Sequence, residues 1–178
     1  MQHLQAGVRP FESITLALND WLQHILEPYE LRTQNEHQHL VLQLAPSLPP
    51  VTTDFACLSR IVTELLNNAC KFTPPQETIT VTTTATTSHC VIQISNSGVE
   101  IPPEEQTRIF DKFYRIPNPD PWQYSGVGLG LALVAKLVAH IGGSIQVTSS
   151  DRLTRFTLQL PIHPNSQGDL PDAGEFAP

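Results

Sequence analysis

Glu64, Asn68 and Lys71 stand at i, i+4 and i+7 in the stretch Glu64–Pro74, which reads E-L-L-N-N-A-C-K-F-T-P. That spacing puts an acid, an amide and a cation on one face of a predicted helix, with Ile61, Leu65, Leu66 and Ala69 forming an apolar stripe beside it. Further along, Gly126 to Ala132 read G-V-G-L-G-L-A, a glycine turn feeding a second helix. Unpaired backbone N–H groups and a partial charge of roughly +0.5 at such a helix start favour a phosphate chain. One half of the pair suits a metal ion and the other suits phosphates.

The glycines do not fit the common nucleotide motifs. A dinucleotide fingerprint needs G-x-G-x-x-G, but counting from Gly126 or Gly128 puts Leu131 or Leu133 at the third glycine. The G-K-S/T ending of a P-loop is absent, as is the protein-kinase glycine loop with its trailing valine. His37 and His39 form a lone H-x-H, which reads as a surface pair before it reads as a metal site. Cys57, Cys70 and Cys90 are odd in number and far apart, fitting neither a disulfide framework nor a C-x-x-C metal site, so they read as buried thiols in a reducing compartment.

The elements that must position these groups follow from periodicity and punctuation. Residues 1–11 are expected to be a flexible lead-in, with a short edge strand over Ser13–Leu16. Asn19 and Asp20 open a helix carrying Leu18, Trp21, Leu22, Ile25, Leu26 and Tyr29, which Pro28 should kink or end. His39–Leu44 alternates like a strand, Pro46, Pro49 and Pro50 make a connector, and Asp54 is a good N-cap for the helix that Thr73, Pro74 and Pro75 stop. Thr78–Thr86 and Cys90–Ser95 read as neighbouring antiparallel strands with one wet face. Glu104–Phe113 reads as a short helix, and residues 114–126, rich in proline, as a lid. Val127–Ile141 has helical spacing, Gly142 and Gly143 break it, Ile145–Ser149 and Thr154–Leu160 form a closing hairpin, and 163–178 is expected to be a disordered tail.

With 178 residues, 40% of them apolar, the chain can bury one sizeable core, so a single domain over 12–162 is expected. A net charge of −7 with only three lysines argues against a nucleic-acid surface. No apolar run approaches the ~18 residues of a membrane span, and no basic region precedes an apolar stretch as in a signal peptide. A soluble, cytoplasmic piece is the expectation, with a longer, membrane-bound parent protein left open.

These residues resemble the ATP-binding domain of sensor histidine kinases, within the wider family of type II topoisomerase, Hsp90 and mismatch-repair ATPases. Glu64–Pro74 is similar to the family's N box, Asn96–Pro102 to its first glycine box, Arg108–Arg115 (R-I-F-D-K-F-Y-R) to its F box and Gly126–Ala132 to its second glycine box. The resemblance covers roughly residues 12–162 and implies an α+β fold, a two-layer α/β sandwich of the Bergerat type. Its sheet would be mixed but mostly antiparallel and covered on one face by helices, with ATP held under the lid.

The resemblance further implies that Asn68 is the protein ligand to Mg²⁺, that Lys71 contacts phosphate and that Phe72 packs on adenine. Gly126, Gly128 and Gly130 would let backbone approach the phosphates. Gly98, Ile101, Val127 and Leu129 join the nucleotide-binding set, Leu129 and Leu131 reading also as core residues. Lys112 and Arg115 reach phosphates or the incoming acceptor, or are ordinary surface charges, while Phe110 and Phe113 pack the base of the lid.

In the family the first glycine box normally reads D-x-G-x-G, whereas this chain has N-S-G-V-E: Asn96 replaces the acid that accepts from the adenine amino group, and Glu100 replaces the second glycine. Charged hydrogen bonds contribute roughly 1.5–3 kcal/mol against about 1 for neutral ones, so adenine binding weakened about tenfold is expected. A Glu100 held at positive φ would add ~1–2 kcal/mol of strain.

Three readings follow. The leading one is the catalytic domain of a sensor histidine kinase, presenting Mg·ATP to a histidine on a dimerisation and phosphoacceptor domain absent from this chain, with a response regulator downstream. None of the seven histidines lies in the S-H-E-L-R-T-P context of such an acceptor; Glu30–Thr33 repeats only E-L-R-T. The isolated chain is expected to be a monomer that does not phosphorylate itself and contacts neither membrane nor nucleic acid. The second is an autonomous ATPase with Glu64 as the base for water. The third is a degenerate module that senses nucleotide.

Overall fold

Apolar residues at every second position in the strands and at three-to-four spacing in the helices give both kinds of element one dry side, and the chain folds by pressing these together. The computed structural model describes residues 12–117 and 128–162. Within them the order is β1 (Ser13–Leu16), α1 (Leu18–Asn35), β2 (His39–Gln43), β3 (Val51–Asp54), α2 (Phe55–Phe72), β4 (Thr78–Ala85), β5 (His89–Ser97), a 3₁₀ turn (Arg108–Phe110), α3 (Gly130–His140), β6 (Ser144–Ser150) and β7 (Leu153–Pro161). The expected lead-in 1–11, tail 163–178 and most of the lid, with Gly126 and Val127, lie outside the described residues.

Five strands form one sheet in the order β2-β4-β5-β7-β6, and β1 pairs with β3 in a separate two-stranded ribbon. Only β2–β4 is parallel; the other pairs of the sheet are antiparallel, as expected from the family. The β3 strand was not anticipated, because Pro49 and Pro50 directly before Val51 marked that stretch as connector.

Inward-facing Ile79 and Val81 of β4, Ile92 and Ile94 of β5, and Phe156, Leu158 and Leu160 of β7 are buried, together with Leu22 and Leu26 of α1, Ile61, Leu65 and Leu66 of α2, and Val134 and Val138 of α3. The opposite sheet face is polar: Thr82 donates to Gln93 at 3.3 Å, and Gln93 donates to Thr157 at 3.3 Å, along one cross-strand row. Helices on one face and a wet second face make the two-layer sandwich.

Three local expectations are corrected. Asn19 does not cap α1, whose N-cap is Ala17 without a side-chain bond. Asn19 instead donates to the Ala45 carbonyl at 2.7 Å and accepts from buried Thr83 at 2.9 Å, tying α1 to β4 and to the chain just after β2. Pro28 does not end α1, which runs through it; buried Leu22, Leu26, Tyr29 and Thr33 hold the turns on both sides against the core. The F-box helix expected over Glu104–Phe113 is a series of turns with one 3₁₀ turn at its centre. Phe113 there takes φ 63° and is 68% exposed, so it does not pack inward, whereas Phe110 meets Phe156 edge-on at 6.3 Å.

Candidate functional site

α2 is built to hold its polar face still. Asp54 caps its start, accepting from the Cys57 N–H at 2.9 Å, and Gln38 closes its end by donating to the Cys70 and Thr73 carbonyls at 2.8 and 2.5 Å. The adjacent amides Asn67 and Asn68 then divide by direction. Asn67 accepts from Arg32 at 2.7 Å and from Tyr29 at 3.2 Å, so it belongs to the α1 contact. Asn68 is half-buried on another side of the helix, and its amide takes no side-chain hydrogen bond among the described residues.

One turn beyond, half-buried Lys71 lies with its ammonium 4.9 Å from the centre of the Phe72 ring. Its pKa is lowered, first by burial and then by the positive charge of Arg115.

One turn before Asn68, Glu64 pairs with Arg60 at 2.6 Å. α2 and α3 run antiparallel, so Glu64 meets the start of α3: a Cβ on Gly130 would lie 2.9 Å from the Glu64 Oε2. A cleft of about 430 Å³ opens here, lined by Arg60, Glu64, Lys112, Leu129, Gly130 and Lys136 among others. Lys136 has its pKa lowered by Lys112, through a hydrogen bond first and by like charge second. Leu129, expected in part as a core residue, is 44% exposed at this rim, while Leu131 packs against the core.

Gly128 is glycine for a local reason. It sits at φ 74°, a Cβ there would come within 2.7 Å of the Tyr114 carbonyl oxygen, and its own carbonyl accepts from the Phe113 N–H at 2.9 Å. Thus the second glycine box is clasped to the F box. Tyr114 donates to Glu105, and the Arg108 guanidinium stacks 4.2 Å from the Tyr114 ring, so the F-box turns are braced without a helix.

Asn96 lies on β5 paired with Ile79 and Thr154. Period two puts it on the same face as Ile92 and Ile94, towards the helices. It is 5% exposed, and its amide likewise has no side-chain hydrogen bond among the described residues. Gly98 follows at φ 83°, where a Cβ would strike the Glu77 Cγ at 2.6 Å. Ile101 is partly buried, its N–H donating to Ser149 at 2.8 Å and its carbonyl accepting from Gln106 at 2.9 Å.

Glu100 is not at positive φ, so the strain foreseen there is absent; its carboxylate accepts from the Arg152 N–H at 3.0 Å. Sequence reasoning missed this surround of Glu77, Gln106, Ser149 and Arg152. It also missed Gln38 and Arg60. None carries a local signal, since each acts on residues far away in the chain.

Residues 53–164 match the family of histidine kinase-, DNA gyrase B- and HSP90-like ATPases. The chain is 33% identical over 155 residues to the sensor histidine kinase Hik2 of Thermosynechococcus vestitus, covering 85% of this chain and 40% of that protein. Against the circadian input-output histidine kinase CikA of Synechococcus elongatus the identity is 37% over 169 residues, covering 90% and 22%. The chain therefore spans less than half the length of these curated relatives.

Among solved structures, the catalytic domain of the histidine kinase ThkA superposes with a TM-score of 0.76 at 21% identity, covering 86% of this chain and 99% of that one, a likeness of fold. The mycobacterial sensor histidine kinase MprB gives 0.69 at 26% identity, covering 87% and 99%. The chain belongs to the histidine kinase-, DNA gyrase B- and HSP90-like ATPase family, as an ATP-binding catalytic domain of the sensor histidine kinase kind.

Proposed function

We propose that residues 12–162 present Mg·ATP to a histidine on a dimerisation and phosphoacceptor domain of the same parent protein, on the cytoplasmic side, with a response regulator as the indirect partner. The observation that carries this reading is that one face of α2 presents Glu64, Asn68 and Lys71 in succession, with Glu64 against Gly130 of the second glycine box. Buried Asn96 and half-buried Asn68 support the fit, since an amide can accept from a base's amino group and can offer an oxygen to a hydrated cation.

In this reading Asn68 holds Mg²⁺, which would supply charge neutralisation at the phosphates and orientation of the transferred group. Lys71 and Arg115 hold phosphate oxygens, and the start of α3 at Leu129 and Gly130, with Gly128, offers backbone N–H groups. Asn96 accepts from the adenine amino group, Phe72 stacks on the ring, and Gly98 and Ile101 shape the wall. Gly126 and Val127 complete the set by sequence. The domain's task is positioning and electrostatics, the nucleophile being supplied from outside.

A second reading, an autonomous ATPase, is favoured by Glu64, an acid four residues before Asn68 and placed beside the start of α3. Its carboxylate is however engaged by Arg60. The decisive experiment mixes this chain, ATP and a separately made histidine hairpin. Phosphotransfer that disappears in Asn68→Ala, with calorimetric loss of Mg·ATP binding, supports the kinase reading. Steady phosphate release from the chain alone, abolished in Glu64→Ala, overturns it in favour of the ATPase.

A further inference from the structure

The antiparallel pairing that brings Glu64 to Gly130 brings the other ends of the same two helices together as well. Asp54 at the start of α2, Cys57 in its first turn and His140 in the last turn of α3 each offer a ligand atom, and these atoms lie within 4.8 Å of one another. Three elements therefore deliver a carboxylate oxygen, a sulfur and an imidazole nitrogen to one point. Asp54 is 6% exposed and accepts from the N–H groups of Cys57 at 2.9 Å and Glu12 at 3.3 Å, which fixes its orientation yet leaves lone pairs on both oxygens.

We infer that Asp54, Cys57 and His140 form a binding site for a zinc-class divalent cation, with water in the remaining position. The donor set is one that zinc accepts, and three protein ligands with one open position is a familiar coordination for it. Separations up to 4.8 Å exceed those between ligands of a bound ion, so the exposed His140 side chain closes inward on binding. Binding transfers the Cys57 thiol proton to solvent and leaves a thiolate–metal bond, with no change of oxidation state.

Electrostatics permits it. The partial positive charge of the α2 start, about half an elementary charge, opposes a cation, but a thiolate and a carboxylate outweigh it, and the negative end of α3 assists. The site is separate from the nucleotide pocket, since Cys57 and Asn68 are 11 residues apart on one helix, about 16 Å along its axis.

The test titrates the metal-free, reduced chain with cobalt(II), watching for thiolate-to-cobalt charge-transfer absorption, and then displaces cobalt with zinc. One equivalent with that absorption is expected. Cys57→Ser should abolish the band and weaken zinc binding by more than ~100-fold, beyond the effect of losing an outer partner. His140→Gln should weaken binding while keeping the band, and Asp54→Asn, which keeps the helix cap, should do the same. Asn68→Ala and the double change His37→Asn with His39→Asn should leave the site intact, separating it from the nucleotide cation and from the H-x-H pair. Circular dichroism melting of each variant shows that it is folded. A band that survives Cys57→Ser, binding indifferent to His140→Gln, or one equivalent of cobalt bound without thiolate absorption overturns the assignment.

Discussion

Two neighbouring amides on α2 have opposite duties, and mutation should separate them. Asn67 accepts from Arg32 and Tyr29 in the contact with α1, so Asn67→Ala strands the Arg32 donor, leaves Tyr29 only the Thr63 carbonyl and should lower stability by about 1–3 kcal/mol in urea unfolding, with little change in nucleotide affinity per folded molecule. Lys71 behaves in the reverse sense. Its pKa is depressed in the fold, so the folded state binds fewer protons than the unfolded chain between the lowered value and the ordinary ~10.4, and stability rises with pH through that window. Lys71→Met should thus leave the ligand-free melting temperature unchanged or higher, flatten its rise in alkali, and erase the stabilisation by Mg·ATP. Asn96 permits a gain: Asn96→Asp restores a charged acceptor on the helix-facing side of β5 and should tighten nucleotide binding about tenfold by calorimetry. The ligand-free protein should become less stable, because the new carboxylate is buried without a partner.

At the scale of elements, termini matter more than interiors. Replacing Asp54 by alanine removes the cap of α2 and should cost about 0.5–2 kcal/mol, whereas asparagine should restore most of it at neutral pH. Because the Asp54 pKa is lowered, its contribution is present above the ordinary ~3.9 and is lost as pH falls through the depressed value, so the difference between aspartate and asparagine should vanish in acid. Gly98→Ala combines a left-handed backbone with a collision against Glu77 and should cost at least ~1–2 kcal/mol. The element types were legible where a period was sustained: α2, β4, β5, α3 and the closing hairpin emerge from apolar spacing alone. What failed were places where a distant partner overrode a local rule. Pro28 is tolerated because buried neighbours grip its helix, Asn19 serves a long-range bond network instead of a cap, and the F-box turns answer to Gly128 instead of to their own helical pattern. The pocket's boxes were legible as residue types, but not their supports, since Gln38 and Arg152 act across the fold.

Over the whole molecule, charge is unevenly spent. The chain carries −7 overall, yet Arg60, Lys112 and Lys136 gather at the α2–α3 cleft, and Lys71, which feels the charge of Arg115, follows Asn68 on α2. An anionic ligand would be drawn to that side of an otherwise acidic body, so its association should slow as salt shortens the Debye length from about 30 Å at 0.01 M to about 8 Å at 0.15 M. Stopped-flow mixing with a fluorescent nucleotide measures this. At a hundredfold excess over its dissociation constant, Mg·ATP should stabilise the fold by about 2.7 kcal/mol, roughly 5–10 °C for a chain of this size; no shift at millimolar concentration would mark a module that has lost its ligand.

The Phe113 N–H to Gly128 carbonyl bond, with glycine pressed on the Tyr114 backbone, makes a clasp at the mouth of the segment between them. A clasped loop has its ends fixed by the clasp and not by its own length. Doubling the number of residues strung across it would add only about 0.6 kcal/mol of closure entropy. Evolution or an engineer could therefore add residues between Tyr114 and Gly128, or remove them, at small thermodynamic cost, while the two boxes stay joined.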